Sequence, residues 1–339
     1  MQCSTASAVC WKTGFLQLDG VAAQFTLSPP YNSKPSRERI MAANLSIGMI
    51  GLDTSHVDAF TSVFNDPECE HHIPDARVVV AYPGGSPDFE LSIGRVEGYT
   101  ELVRERGVEI VDTPVAVAEQ VDVVIMTAVD GRVHRDLFAQ IVDTGKPTYI
   151  DKPFAVCSAD ARWIVETAAA KGVPMMSASS LRYEPDLVAA LAETGDGAVE
   201  GCDFFGPMEI QPTQPGLYWY GIHTVEMAYA VMGRGCVRVR TVTDAQRDII
   251  IGEWGDGRCA VIRGSRTGNV LFGGVLHRQS GSRFVQTGGG KPKYACLLDR
   301  VIEFFRTGQP DVDPAETVET IRFIEAANEG RETGETVTL

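Results

Sequence analysis

A chain of 339 residues, 44% hydrophobic and 22% charged, is long enough to bury a large core and to divide into two domains. Its net charge of −15, with no clustered run of Lys or Arg, excludes a nucleic-acid face, which requires a concentrated basic surface. No apolar run reaches bilayer-spanning length, so a membrane protein is excluded as well.

Residues 1–44 alternate short apolar pieces with Ser, Pro and Arg and lack the basic start of a secretory signal, so a disordered extension is expected there. Met41 stands just before the first strong strand and is a candidate translation start. The eight cysteines are scattered without a CxxC pair, which reads as reduced thiols in a cytoplasmic protein. The tract Pro67-Glu68-Cys69-Glu70-His71-His72 bunches metal-ligand types, but neighbours on an extended loop point apart. A solvated connection is expected there, and no metal site.

From Leu45 the pattern becomes periodic. Leu45 to Leu52 reads as a buried strand, and Val57 to Phe64 as a helix with Val57, Phe60, Val63 and Phe64 on one face. Further strands are expected at Ala76 to Tyr82, Val108 to Val111, Val121 to Thr127 and Pro147 to Ile150, with Val173 to Ala178 completing the sheet. Regular βα alternation implies a parallel sheet covered on both faces, a Rossmann-type doubly wound domain over residues 45–180. In such a fold the first strand-turn-helix takes a dinucleotide pyrophosphate. Here that turn is Gly51-Leu52-Asp53-Thr54-Ser55-His56, which keeps only the first glycine of G-x-G-x-x-G. Asp53 puts a carboxylate where bare backbone is usual, and His56 an imidazole where the third glycine lies. Thr54 and Ser55 retain hydroxyls able to cap the helix or meet a phosphate. A purely structural role for Asp53, as a helix cap with no nucleotide, is the competing interpretation. The second strand ends in Tyr82-Pro83-Gly84-Gly85-Ser86 without the usual ribose-binding acid. Ser86 would suit a 2′-phosphate and Asp88 a ribose hydroxyl, so NAD and NADP both stay open.

Halfway along, Tyr149-Ile150-Asp151-Lys152-Pro153-Phe154 follows the helix stop Gly145-Lys146-Pro147 and places an acid and a lysine at a strand end. Ligands of open α/β sheets bind beyond the carboxyl ends of strands, so Lys152 should enter a crevice. The set Val121 to Ala128, His134, and Gly145 to Pro153 resembles the Gfo/Idh/MocA oxidoreductase family, whose pattern is a strand ending in A-T-P, then a helix histidine, then G-K-x-V-x-x-E-K-P. Asp151 stands for the family glutamate and Thr127-Ala128-Val129 for A-T-P. Ser180-Leu181-Arg182-Tyr183-Glu184-Pro185 resembles the N-x-R-F-x-P junction, Gly221-Ile222-His223 the D-x-G-x-H helix start, and residues 314–339 the family ending. Trp219 occupies the position of the aspartate that precedes the histidine. The resemblance implies a nicotinamide near Thr127, with His134, Asp151 and Lys152 on its binding edge.

Beyond the sixth strand the alternation changes. Strand-like runs at Cys236 to Val242, Asp248 to Glu253, Cys259 to Arg263, Val270 to Leu276 and Ser282 to Gln286 follow one another without helices. A helix from Ile222 to Met232 precedes them, and Leu297, Leu298, Val301, Phe304 and Phe305 mark one after them. Residues 181–339 are therefore expected to form an α+β domain with a mostly antiparallel sheet, serving substrate binding and homo-oligomer formation. His223, at a helix start, should stay neutral because the macrodipole opposes its protonation. Tyr218, Trp219 and Tyr220 suit a core or a sugar ring equally. Arg182 suits a carboxylate, a phosphate or a domain bridge. The leading expectation is an NAD(P)-dependent oxidoreductase acting on a sugar, cyclitol or sugar acid. Lys152 would stabilise the reacting oxygen and His223 would take the proton, with Tyr220 as the alternative base. A redox-neutral elimination, epimerisation or glycoside cleavage uses the same residues, and a ligand sensor without turnover is the non-enzymatic alternative.

Overall fold

The computed structural model describes residues 44–339. The expectations for the segment before Leu45 and for Met41 lie outside the described residues. Six strands, β1 (Leu45–Ile50), β2 (Ala76–Tyr82), β3 (Glu109–Ile110), β4 (Val123–Met126), β5 (Thr148–Ile150) and β6 (Met175–Met176), form one sheet. Every pair is parallel, in the order β3-β2-β1-β4-β5-β6. This is the doubly wound arrangement, and its order reverses between β1 and β4, where a ligand crevice opens. β1 and β4 are almost wholly buried because helices cover both faces, which is why their sequences are nearly continuous apolar runs.

The helices of this half are α1 (His56–Asn65), α2 (Glu90–Glu105), α3 (Pro114–Glu119), α4 (His134–Ile141) and α5 (Ser158–Lys171). Thr113 caps α3 by accepting from the Ala116 amide, with Pro114 in the first turn, where a missing N–H costs nothing. Gly145 takes the left-handed conformation after α4 and its short 3₁₀ extension, so the chain turns back into β5. Six parallel strands were expected from the alternation, and the structure supplies their order.

The second half has α6 (Pro185–Ala192), β7 (Val199–Pro207), α7 (Gly221–Met232), strands β8 (Cys236–Thr243), β9 (Arg247–Trp254), β10 (Cys259–Ser265), β11 (Gly273–Arg278) and β12 (Gly281–Gln286), then α8 (Lys293–Thr307), α9 (Pro314–Thr333) and β13 (Val337–Thr338). The strands form a seven-stranded sheet, β12-β11-β7-β10-β9-β8-β13, antiparallel except where β10 runs parallel to β7. β7 is a strand that the sequence patterning did not reveal. The fourth strand-like run begins at Gly273 rather than at Val270, leaving Val270 and Leu271 exposed.

α7 and α9 lie on one face of this sheet. α8 returns to the first half. Its Leu297, Leu298, Val301, Phe304 and Phe305 join the same core as Ile47, Val57, Phe60 and Phe64. α9 also packs on α5. The two halves therefore share cores across the crevice, and α8 delivers its N-terminus beside α1. Among the described residues no helix is long and apolar enough to cross a membrane.

Candidate active site

Lys152 follows β5 directly and is 9% exposed. Its ammonium has no carboxylate within salt-bridge distance and makes no hydrogen bond to another described residue. It lies 5.9 Å from the centroid of the Trp219 ring. Burial lowers its pKa. Arg95 and Lys293 push the same way, while Asp151 and Asp53 oppose. The lysine is thus held in a dry site without a paired anion.

Asp151 orients the backbone below it, accepting from the Lys152 amide at 2.9 Å and from the Tyr149 hydroxyl at 3.3 Å. Its other oxygen hydrogen-bonds His56 Nδ1, which ties the start of α1 to the lysine loop. Burial alone would raise its pKa, but His56 and Lys152 outweigh that and keep it below the usual carboxylate range. Asp151 therefore serves an internal bond.

His223, in the first turn of α7, shares a 2.7 Å hydrogen bond with Ser179 Oγ through Nδ1. When Nδ1–H donates to that oxygen, Nε2 keeps its lone pair. Burial, then the charges of Lys152, His56 and Lys293, hold its pKa well below the ordinary histidine value. The ring sits edge-on to Tyr220 at 5.7 Å and to Phe272 at 5.6 Å. Tyr220 in turn neighbours Trp219 at 6.2 Å. An aromatic row therefore runs from the lysine to the histidine, and the charge of Lys152 acts on the imidazole. A cavity of about 720 Å³ opens against the Tyr220 and Phe272 rings that flank the histidine, and Thr287, Lys293 and Tyr294 also line it, whereas Lys152 and His223 do not.

The glycine turn behaves differently from a simple phosphate cradle. Gly51 has φ +96°, and a Cβ on it would lie 2.4 Å from the Ala128 amide nitrogen, so this glycine allows the ends of β1 and β4 to touch. Thr127 Oγ1 donates to Gly51 O at 2.6 Å across the same contact. Asp53 is 1% exposed. Its carboxylate accepts from the Val129 amide at 2.9 Å and from Ser92 Oγ at 2.6 Å. Burial raises its pKa against those bonds. The carboxylate therefore points into the protein, away from where an anion would lie on α1.

One turn along α2 from Ser92 is Arg95, whose Nε and one terminal nitrogen are buried without a hydrogen-bond partner. Its charge acts on both Asp53 and Lys152. Arg95 as a whole is half-buried, and donors left without a partner inside a protein are costly. Ser55 is exposed at the start of α1 and is bonded by the Tyr294 hydroxyl, whose pKa burial raises to about 12. Thr54 is buried, its hydroxyl oxygen 3.5 Å from the His56 amide. Arg95, Ser55 and the first turn of α1 fit the diphosphate of a dinucleotide.

Other sequence-derived candidates have different surroundings. Ser86 donates to Asp130 at 2.7 Å, and Arg132 forks between Asp130 and Asp88. His134 is fully buried with its ring nitrogens against Ala128 O and Phe154 O, bracing the lysine loop from behind. Arg182 is held between Glu226 and Glu316, and the Tyr218 hydroxyl donates to Ile321 O. Both lie in packing between helices and do not line the cavity. No three His, Cys, Asp or Glu side chains cluster as a metal site among the described residues. Sequence reasoning missed Arg95, Ser179, Lys293 and Tyr294. Only the run Gly288-Gly289-Gly290 before Lys291-Pro292-Lys293-Tyr294 carried a local signal, a glycine-rich turn feeding a basic helix start.

No family model matches the chain. It is 30% identical over 150 residues to a D-apiose dehydrogenase of Paraburkholderia graminis, a match spanning 40% of this chain and 39% of that protein. Solved structures share the fold across both halves. A myo-inositol dehydrogenase from Lactobacillus casei in complex with NAD(H) and myo-inositol superposes with TM-score 0.70 at 14% identity, over 87% of this chain and 96% of that one. An oxidoreductase from Agrobacterium radiobacter in complex with NAD+, L-tartaric acid and magnesium gives 0.69 at 17% identity, over 87% and 98%.

Proposed function

We propose that the chain is an NAD(P)-dependent oxidoreductase of the Gfo/Idh/MocA type, acting on a hydroxyl group of a sugar, cyclitol or sugar acid in the cytoplasm. The observation that carries this is an unpaired buried lysine linked through an aromatic row to a histidine whose pKa is held low, with a cavity beside the Tyr220 and Phe272 rings that flank that histidine. The polyol and sugar-acid ligands named for the relatives above support the substrate range.

A bound nicotinamide would supply the hydride-accepting or hydride-donating carbon. Arg95, Ser55 and the start of α1 would hold its diphosphate. At the far end of the crevice two carboxylates, Asp88 and Asp130, face one guanidinium, Arg132, which favours the ribose hydroxyls of NAD over a 2′-phosphate. Lys152 donates a hydrogen bond to the reacting oxygen and stabilises the charge that grows there as the O–H bond breaks. His223 Nε2 takes that proton while the carbon gives up its hydrogen with the electron pair and a carbonyl forms. Tyr220 stands next in line as the alternative proton acceptor. Ser179 fixes the imidazole's orientation, the task that Trp219 cannot perform in place of an aspartate. Trp219 packs edge-on to Phe89 at 5.1 Å and shields the lysine from water.

Outward-facing apolar residues cross the second sheet, with Phe284 85% exposed and Val242 51% exposed. A second copy of the chain covering this face would make a homo-oligomer. The catalytic reading is tested by titrating NADH and NADPH into the protein and following reduction of NAD with a panel of polyols. Absence of binding by either nicotinamide would refute it.

A further inference from the structure

The strand order β3-β2-β1-β4 puts the ends of β2 and β4 on either side of β1, and a doubly wound fold takes its ligand above the β1 end, between β1 and β4. Residues 83–89, which leave β2 and lead into α2, cross that place. Their start lies along β1: Pro83 O accepts from the Leu52 amide at 2.7 Å, and a Cβ on Gly84 would stand 3.5 Å from Gly51 Cα. Their middle reaches the loop after β4, where Ser86 Oγ donates to Asp130 at 2.7 Å. Their end is clasped there. Arg132 gives its two terminal nitrogens to Asp88, at 2.9 and 2.8 Å, and its Nε and one terminal nitrogen to Asp130, at 3.0 and 2.7 Å. Phe89 is 2% exposed and packs with Val129 and with the Trp219 ring that neighbours the Lys152 ammonium. The fastening is uneven, since the Asp130 side chain is wholly buried whereas that of Asp88 is 64% exposed. Exposed ion pairs are weak and are screened by salt, so the Asp88 arm can part without unfolding what lies beneath. Gly84 and Gly85, at φ +65° and +104°, stand at the root of the segment, where a hinge needs freedom from a Cβ.

We infer that residues 83–89 are a strap that gates the cofactor: it swings away from the Arg132–Asp88 clasp to admit the dinucleotide and closes again over it, with Phe89 and Trp219 sealing the end nearest Lys152. This rests on the oxidoreductase reading and adds to it how the cofactor is exchanged. A nucleotide lying on the ends of β1 and β4 has to pass the strap on its way in and out. Binding that waits on such an opening is slower than diffusional encounter, and its limit is the opening rate.

The test is stopped-flow fluorescence of NADH, and of NADPH, mixed with the full chain, followed by a chase of the bound nucleotide with an excess of its oxidised form. In the parent the observed association rate should level off as the nucleotide concentration rises. Asp88→Asn removes one arm of the clasp at an exposed position and should raise that plateau and the chase rate together, by about threefold. Arg132→Gln removes both arms and should raise them by about tenfold. The equilibrium Kd should move by less than about threefold in either variant, because the strap closes over the empty and the filled site alike. Added salt should quicken exchange in the parent more than in Asp88→Asn. An association rate that climbs linearly with nucleotide in the parent, or exchange rates unchanged in Asp88→Asn, overturns the inference. So does a faster chase with unchanged association, which would make Asp88 a plain contact to the nucleotide. The two failures are separable: protein that binds neither nicotinamide refutes the oxidoreductase reading and the strap with it, whereas protein that binds one of them with ungated kinetics refutes the strap alone.

Discussion

Replacing Lys152 with Met separates catalysis from stability in a way that few substitutions do. The methionine is close to isosteric with the buried stem and removes an ammonium that has no paired carboxylate. Loss of a preorganised cationic donor costs roughly a hundredfold to a thousandfold in kcat. Loss of an unpaired buried charge should stabilise the fold by about 1 kcal/mol or more, raising Tm by roughly 2–4 °C. The sign of the pH dependence follows from the lowered pKa of Lys152, which burial causes. At neutral pH the unfolded chain holds the lysine charged at no cost while the native state does so in a desolvated site, so the penalty is present. As pH rises through the folded pKa towards the unfolded value the native state binds fewer protons than the unfolded one, and the penalty fades. The Tm advantage of Lys152→Met should therefore be largest near neutrality and shrink in alkaline buffer. Calorimetry across that range, with NADH affinity measured in parallel, checks it. A Tm below that of the parent, or unchanged turnover, would refute the reasoning.

Three further outcomes are expected. Ser179→Ala removes the hydrogen-bond partner of a buried imidazole, worth about 1–3 kcal/mol, and should lower kcat roughly fivefold to a hundredfold with cofactor affinity unchanged; a change in cofactor Kd with normal kcat would place Ser179 elsewhere. Arg95→Met should weaken NADH binding about tenfold or more and flatten its dependence on salt, and an unaltered Kd would remove Arg95 from the cofactor site. Phe284→Lys should convert the assembly to monomers in light scattering coupled to gel filtration, whereas an unchanged mass would exclude that sheet face as the interface.

The first half was legible because its central strands are buried on both faces and so read as apolar runs, as β4 does from Val123 to Met126. β7 was not. Val199 to Pro207 carries Glu200 and Asp203 on its outward side and glycines at Gly201 and Gly206, where neighbouring backbone or side chains leave no room for a Cβ. Those residues dilute the strand signal. For α8 the apolar face was evident but its partner was not, since periodicity says which side is buried and not against what. The sequence showed an acid in the phosphate turn. It did not show that Asp53 turns inward, because its partners Ser92 and Val129 lie 39 and 76 positions away. That inward turn takes from the phosphate turn the acid on which the reading as a ligand sensor without turnover leaned. Ser179, Arg95 and Lys293 were equally hidden, for their roles exist only once distant segments meet.

The account stands on a nicotinamide lying between Lys152 and His223, and Trp219 beside Lys152 offers a reporter. Excitation of tryptophan in the presence of NADH should give sensitised nicotinamide emission in the parent protein and in Lys152→Met, and most of that signal should vanish in Trp219→Phe while NADH still binds. Sensitised emission that survives Trp219→Phe undiminished would place the cofactor somewhere else and contradict the account.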